Sequence, residues 1–310
     1  MPLFSFLMPV KNVERYIQEA LESLGAQTFR DWELIVIDDG SSDTTRELIL
    51  ATAVQDSRIH LVQNPGTGQT QALNCGYERA SGRYIKFIDG DDILAPSFSK
   101  HVDSLTARDA TYHDLEIVDE QLAKINVLRL TSKFSSVSFA KCLQNMAPIP
   151  RSAWTLSKSV ADRLFPMPKE VPSPHEDVWI ALVIKKISDI GYLPKPLYLY
   201  RQHPGQFYGG IYNFKKDVVI RRAQAKLRLI GLFESQGKIL WEDLPRGAEI
   251  LRSIRLYYSL LEKEEVGLWE GLRAPLPWHR KLKILVVKKW PRVASRVSRW
   301  KSNLRFSFLR

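Results

Sequence analysis

Cysteine is scarce in this 310-residue chain. Cys75 and Cys142 are too few for a disulfide framework and lack the spacing of a metal cluster. That usage points to a reducing compartment. No apolar run approaches the ~20 residues that cross a bilayer. The apolar stretch Phe4 to Val10 is short and closes at Pro9-Val10-Lys11-Asn12 without a cleavage-like site, so no signal peptide is read. A soluble or peripheral protein is expected, cytoplasmic or at the cytoplasmic face of a membrane. A phosphate loop of the Gly-X4-Gly-Lys-Ser/Thr kind is also missing. So are internal repeats and low-complexity segments. Acid, finally, is missing from one stretch: residues 271–310 carry 12 Lys and Arg and no Asp or Glu. The rest holds 33 basic and 34 acidic residues, so the whole net charge of +11 sits in that tail. A near-neutral body argues against nucleic acid as a partner.

What is present is a 45% hydrophobic content, enough for a sizeable core. Phe4 to Val10 and Trp32 to Ile37 are continuous apolar runs, as strands buried on both faces of a parallel sheet are. Arg58 to Gln63 and Tyr84 to Ile88 are two more strands. Helices are predicted between them: Val13 to about Ala26 with Asn12 as cap, Thr44 to about Val54 with Asp43 as cap, and Gln69 to Ala80. Strand and helix alternate through short connections, the signature of an α/β parallel sheet with right-handed crossovers. Ligands of such sheets bind beyond the carboxyl ends of the strands. Four polar clusters lie there: Pro9 to Asn12, Asp38 to Ser42, Gly66 to Gln69 and Asp89 to Asp92.

The last cluster carries the strongest signal. An apolar strand runs into Asp89-Gly90-Asp91-Asp92, and apolar residues resume at Ile93. Crowded like charges beside buried residues need neutralising, and a hard divalent ion shared with substrate phosphates suits carboxylate oxygens. Gly90 is expected to let the backbone turn and a ligand approach. The bland alternative is a surface turn.

Downstream, a helix from Pro96 to Ala107 precedes two strands, Ala110 to Val118 and Ile125 to Leu130, that suggest a hairpin. A short helix is read over Ser138 to Asn145. Pro148, Pro150, Pro166, Pro168, Pro172 and Pro174 make the middle region loop-rich, as an acceptor-binding face would be. A helix over Glu176 to Ile187, an extended stretch Tyr192 to Tyr200, and helices over Asn213 to about Phe233 and Ala248 to about Lys263 follow.

In these residues the chain resembles family 2 glycosyltransferases, whose nucleotide-diphospho-sugar fold is called GT-A. The matching stretches are Met8 to Ile17, Gln27-Thr28-Phe29, Glu33 to Asp43, Gly68 to Asn74 and Gly82 to Ile85. Asp89-Gly90-Asp91-Asp92 supplies the family's Asp-X-Asp signature, and Glu176-Asp177 and Tyr200-Arg201-Gln202-His203 match as well. The likeness is strong over roughly the first 100 residues and sparser to about residue 205. Lys11 departs from it, standing where the family more often has Tyr.

The resemblance implies a fold and a chemistry. A mostly parallel sheet flanked by helices would form a catalytic domain over residues 1–205, with a nucleotide-sugar half to 100 and an acceptor half beyond. Residues 206–310 would be a helical extension with a basic amphipathic tail. The implied reaction is inverting transfer from a nucleotide-diphosphate sugar, a UDP-sugar, to a glycan or lipid-linked hydroxyl in surface polysaccharide synthesis. Asp91 is the implied ligand of Mn²⁺ or Mg²⁺, with Asp89 and Asp92 on the ion, its water, ribose or backbone, and His203 on the ion or the diphosphate. Arg201 is an implied phosphate partner. Asp39 would accept from the nucleobase or else cap a loop; Pro9 and Asn12 would flank the base. Gly68 would lie against the donor or serve as a plain turn glycine. Asp177 is the implied general base and Glu176 its orienter or an acceptor contact. Trp154 and Trp179 read as sugar platform or core. The tail from Trp278 to Arg310 reads as a solvated helix or as a segment drawn to anionic lipid. Two rivals remain: a sugar-nucleotide nucleotidyltransferase, whose Gly-rich basic signature Phe4 to Asn12 lacks, and a non-catalytic glycan- or membrane-binding scaffold.

Overall fold

The computed structural model describes residues 1–130, 132–146, 149–173, 175–206, 215–235, 244 and 246–289. Pro148, Pro174, the predicted helix start at Asn213 and the tail from Trp290 onward lie outside them.

The four predicted strands of the parallel half form: β1 Phe4–Val10, β2 Trp32–Asp38, β3 Ile59–Gln63 and β4 Tyr84–Phe87. Their order is β3-β2-β1-β4, all parallel, with Val10 of β1 opposite Asp38 of β2. Helices α1 Ile17–Gly25, α2 Thr45–Gln55 and α3 Gln69–Arg79 make the crossovers. The remaining strands are β5 Ile93–Leu94, β6 Ala110–Val118, β7 Lys124–Leu128, β8 Trp154–Ser157 and β9 Ile190–Arg201. They extend the sheet past β4 in the order β8-β6-β9-β5, with β7 hairpinned on β6. β8 pairs antiparallel with both β4 and β6, so the sheet changes direction beside the acidic strand end.

Short helices α4 Val102–Thr106, α5 Lys133–Ser136, α6 Phe139–Asn145 and α7 Lys158–Leu164 connect these strands. Helix α8 Glu176–Ile187 precedes β9. Helices α9 Lys216–Ser235, α10 Gly247–Glu262, α11 Leu268–Arg273 and α12 Trp278–Lys289 follow it. The main apolar core runs from the sheet into α9 and α10 through Leu229, Phe233, Leu251 and Ile254. Trp179 of α8 stacks on Phe233 of α9, centroids 5.4 Å apart.

Three local expectations change. Helix α1 starts at Ile17, four residues late, because Asn12 takes a left-handed φ of 52° and its Oδ1 accepts from the Ser42 amide at 2.8 Å instead of capping its own helix. The stretch beyond Pro96 is a 3₁₀ turn, Phe98–His101, followed by α4. The proline-rich middle is not all loop: it contains β8 and α7, whose cap is the Ser157 side chain accepting from the Val160 amide. Both tryptophans are core. Trp154 is wholly buried between Tyr112 and Phe134, which removes it as a sugar platform.

Candidate active site

The polar residues gather at the carboxyl ends of β1, β2 and β4, around the starts of α3 and α8 and the end of β9. At the end of β2, Asp38 is buried and its Oδ1 accepts from the Ser41 amide at 2.9 Å. Asp39 accepts from the Gly68 amide with Oδ1 and Oδ2, at 2.9 and 3.0 Å, and from Asn64 Nδ2 at 2.6 Å. Lys11 Nζ stands 3.9 Å from Asp39 Oδ2. Gly68 has a φ of +85°, which L side chains rarely adopt, and a Cβ there would meet nothing within 4 Å. Backbone conformation therefore accounts for this glycine. Asn12 stays on the same rim, its amide donating to Ser41 Oγ at 3.1 Å. Pro9 is buried within β1 opposite Ile37.

The acid cluster of β4 abuts this rim, since a Cβ on Gly90 would lie 2.7 Å from Val10 Cγ1 and 3.2 Å from Val13 Cγ2. Gly90 sits in the expected turn, closed by the Asp92 amide donating to the Asp89 carbonyl at 3.3 Å, and it also lets the motif pack closely on the end of β1. Asp89 pairs with Arg151, and its amide donates to the Tyr198 hydroxyl at 2.7 Å. Burial raises the Asp89 pKa, against the pull of Arg151. Asp91 Oδ2 lies 3.1 Å from His203 Nε2, and the His203 ring packs on Tyr16 with centroids 4.5 Å apart. Asp92 faces inward: Oδ1 accepts from the Arg201 amide at 2.8 Å, and Oδ2 is buried with no partner. Burial, then the charges of Asp91 and Asp89, push the Asp92 pKa well up.

The four-residue ligand set Asp89, Asp91, Asp92 and His203 is therefore not assembled. Among the described residues no three His, Cys, Asp or Glu side chains group closely enough to hold an ion. Arg151 takes Asp89 Oδ1 and the Arg201 amide takes Asp92 Oδ1, while Asp91 and His203 face each other. Their oxygen and imidazole donors fit a Mn²⁺- or Mg²⁺-type ion that takes its other ligands from phosphate and water. Arg201, expected on phosphate, is turned into the protein and is only 2% exposed. Nε donates to the Asp91 carbonyl and Nη1 to the Glu120 carbonyl, each at 2.9 Å, while Nη2 pairs with Glu19.

Glu176 and Asp177 open α8. Glu176 is 2% exposed and its Oε1 takes a bond from Arg151 Nη1 at 2.5 Å. Burial lifts its pKa to about 7, opposed by Arg151 and helped by Asp177. Burial also raises Asp177, with Lys226 of α9 acting the other way. Lys226 is itself lowered to about 8 by burial. Glu176 Oε2 and Asp177 Oδ1 are buried without hydrogen-bond partners. Beside α3, a cavity of about 220 Å³ is lined by Gly68, Thr70, Lys169, Val171 and Arg228 among others.

Sequence reasoning missed two basic residues. Arg151 sits alone in a proline-rich stretch and carried no local signal. Lys86 did carry one, a lysine inside the apolar strand Tyr84–Phe87. It is fully buried, donates to the Ser152 carbonyl and lies 3.1 Å from His113 Nε2. Burial lowers Lys86 to about 7 and keeps His113 well below its usual pKa.

Comparison with known proteins bears on this arrangement. The profile described as Glycosyl transferase family 2 matches residues 5–146. An uncharacterized glycosyltransferase, EpsJ, of Bacillus subtilis is 35% identical over 117 residues, 38% of this chain and 33% of that protein. The matched stretch is thus about a third of that relative's length. A UDP-Glc:alpha-D-GlcNAc-diphosphoundecaprenol beta-1,3-glucosyltransferase of Escherichia coli, WfgD, is 32% identical over 196 residues, 61% of this chain and 72% of that protein. Two solved structures share the fold at 16% identity. The mannosyltransferase PcManGT of Pyrobaculum calidifontis with GDP-Man and Mn²⁺ superposes with a TM-score of 0.60, covering 98% of this chain and 87% of that one. TarS of S. aureus with UDP-GlcNAc gives 0.56, covering 97% and 90%. A parallel sheet ending in Asp-X-Asp, turned antiparallel at β8 and matched this broadly, has one reading: the chain belongs to glycosyltransferase family 2 and has the GT-A fold.

Proposed function

We propose that this chain is an inverting, metal-assisted glycosyltransferase. It moves a sugar from a nucleotide-diphosphate donor, a UDP-sugar, to a hydroxyl of a glycan or lipid-linked acceptor in cell-surface polysaccharide synthesis. The observation that carries the reading is the meeting of the β4 acids with the start of α8, joined through Arg151. A WfgD name that specifies UDP-Glc and a diphosphoundecaprenol acceptor supports donor and acceptor class, and a GDP-Man and Mn²⁺ complex of a neighbour supports an ion.

Each residue then has work to do. Asp39 orders the Gly68 loop and keeps lone pairs for a nucleobase imide, with Pro9 and Asn12 on the flanks. Asp91 and His203 would hold Mn²⁺ or Mg²⁺, which would supply charge stabilisation to the leaving diphosphate. Asp177 accepts the acceptor hydroxyl proton as that oxygen attacks the anomeric carbon. The bond to the diphosphate breaks on the opposite face, so one displacement inverts the centre. Burial of Asp177 makes it a better proton acceptor than an ordinary carboxylate. Glu176 orients the acceptor side. The division at residue 205 belongs to the same proposal, although α9 brings Lys226 close to Asp177. No helix among the described residues is long and apolar enough to cross a membrane. Trp269, Trp278 and Leu282, exposed by 67%, 65% and 48%, support docking of the basic C-terminal region on anionic lipid.

The test is nucleoside diphosphate release from a panel of sugar nucleotides, with and without Mn²⁺. Asp177→Asn should lower turnover about 10²–10⁴-fold, the usual weight of a general base. Asp91→Ala should abolish the response to Mn²⁺. Unchanged release by both variants would refute the reading.

A further inference from the structure

Arg151 spans two segments remote in sequence. Nη2 reaches Asp89, 62 positions away, and Nη1 reaches Glu176, 25 positions away. The side chains are 9% exposed for Arg151, 19% for Asp89 and 2% for Glu176. The arginine itself is held by the 3₁₀ turn Arg151–Ala153 that leads into β8, the strand wedged between β4 and β6. Asp89 and Glu176 each lie next to, or two residues from, the groups that act: Asp91 on the donor side and Asp177 on the acceptor side.

We propose that Arg151 is a positioning residue whose planar fork sets the spacing between Asp91 and Asp177. The proposal rests on the donor and base roles given above for those two carboxylates. A guanidinium presents donors in a fixed plane, so two carboxylates bonded to separate nitrogens are fixed in both distance and orientation. A lysine would keep the positive charge but not the angle between the two acids. Reacting groups misplaced by about 1 Å lose on the order of 100-fold in rate. The burden should therefore fall on turnover, not on nucleotide binding. Lys86 backs the same carboxylate from the sheet interior, and its charge acts on Asp89 without touching it. It cannot replace the fork, because it reaches nothing on α8.

The experiment compares Arg151→Lys and Arg151→Ala with wild type. It measures kcat, donor KM, UDP affinity by calorimetry in Mn²⁺, thermal midpoint, and rescue of the alanine variant by guanidinium. For Arg151→Lys the expected result is a fall in kcat of about 100-fold with donor KM and UDP affinity within threefold. Guanidinium should restore part of the lost turnover to Arg151→Ala. Removing one partner of a buried pair can prevent folding; in that event the lysine variant alone decides. Turnover of Arg151→Lys within threefold of wild type overturns the proposal. So does a lowered thermal midpoint with unchanged kcat per folded molecule, which is what a purely structural arginine would give. Failure of the parent reading looks different: Asp91→Ala and Asp177→Asn would then retain wild-type release.

Discussion

Asp38 and Asp39 at the end of β2 are satisfied by amides of Ser41 and Gly68 and by Asn64, all within the parallel half. Asp89, Asp91 and Asp92 at the end of β4 lean on Arg151, His203 and the Arg201 amide, which come from the other half. None of these amide donors titrates, and those of Ser41 and Gly68 are fixed by the backbone. The β4 acids depend on groups distant in sequence, side chains for Asp89 and Asp91 and a backbone amide for Asp92, and buried oxygens without partners remain on Asp92 and on Glu176 and Asp177 of α8. The first arrangement builds a pocket wall. The second holds charge ready for an ion and a substrate, at a cost in stability that the surrounding core must offset.

That contrast can be broken by substitution. The largest effect is expected for Arg201→Ala, which removes two charge-assisted bonds to the Asp91 and Glu120 carbonyls together with the half-exposed pair with Glu19. Denaturant unfolding should show a loss of about 3–6 kcal/mol, at about 1.5–3 for each carbonyl bond. A loss below about 1 kcal/mol would mean the β4 end does not depend on β9.

The next test uses pH. Glu176 has its pKa lifted from 4.5 to about 7 in the folded state. Between those values the native chain holds a proton that the unfolded chain has released. Its contribution to stability is full below the unfolded pKa and falls as pH rises to about 7, by up to about 1.4 kcal/mol per unit. Glu176→Gln should flatten that fall; an unchanged slope across this window assigns it to another group.

The smallest effect belongs to the β2 end. Asp39→Ala leaves the Gly68 amide without an acceptor and Asn64 Nδ2 with only the Gly68 carbonyl at 3.4 Å, and should cost about 1–3 kcal/mol. A larger loss would erase the distinction between the two ends.

Where the chain alternates simple elements, its sequence was enough. β1 and β2 appeared as continuous apolar runs because both faces of the parallel sheet are buried there, and the polar clusters marked the strand ends. The remainder depended on long-range contacts. β8 is four residues long and follows Pro150, so no periodicity could reveal it. Arg151 acquires meaning only once β8 lies between β4 and β6. Arg201 sits in a run that matches a family motif, yet its direction is decided by the carbonyls of Asp91 and Glu120. Asn12 had the right residue type for a cap, but the Ser42 amide claimed it first.

β9 adds one more constraint. It stays in register with β6 from Leu199 to Arg201, after irregularities around His113 and Asp114. Tyr198, Arg201 and His203 all contact the Asp89–Asp92 segment from this one stretch. A single inserted or deleted residue between Tyr198 and Arg201 would send the residues beyond it to the opposite face. Length variation in descendants of this chain should therefore collect upstream, near Leu193 to Pro196, where the pairing already slips, and spare the six positions that follow Leu197.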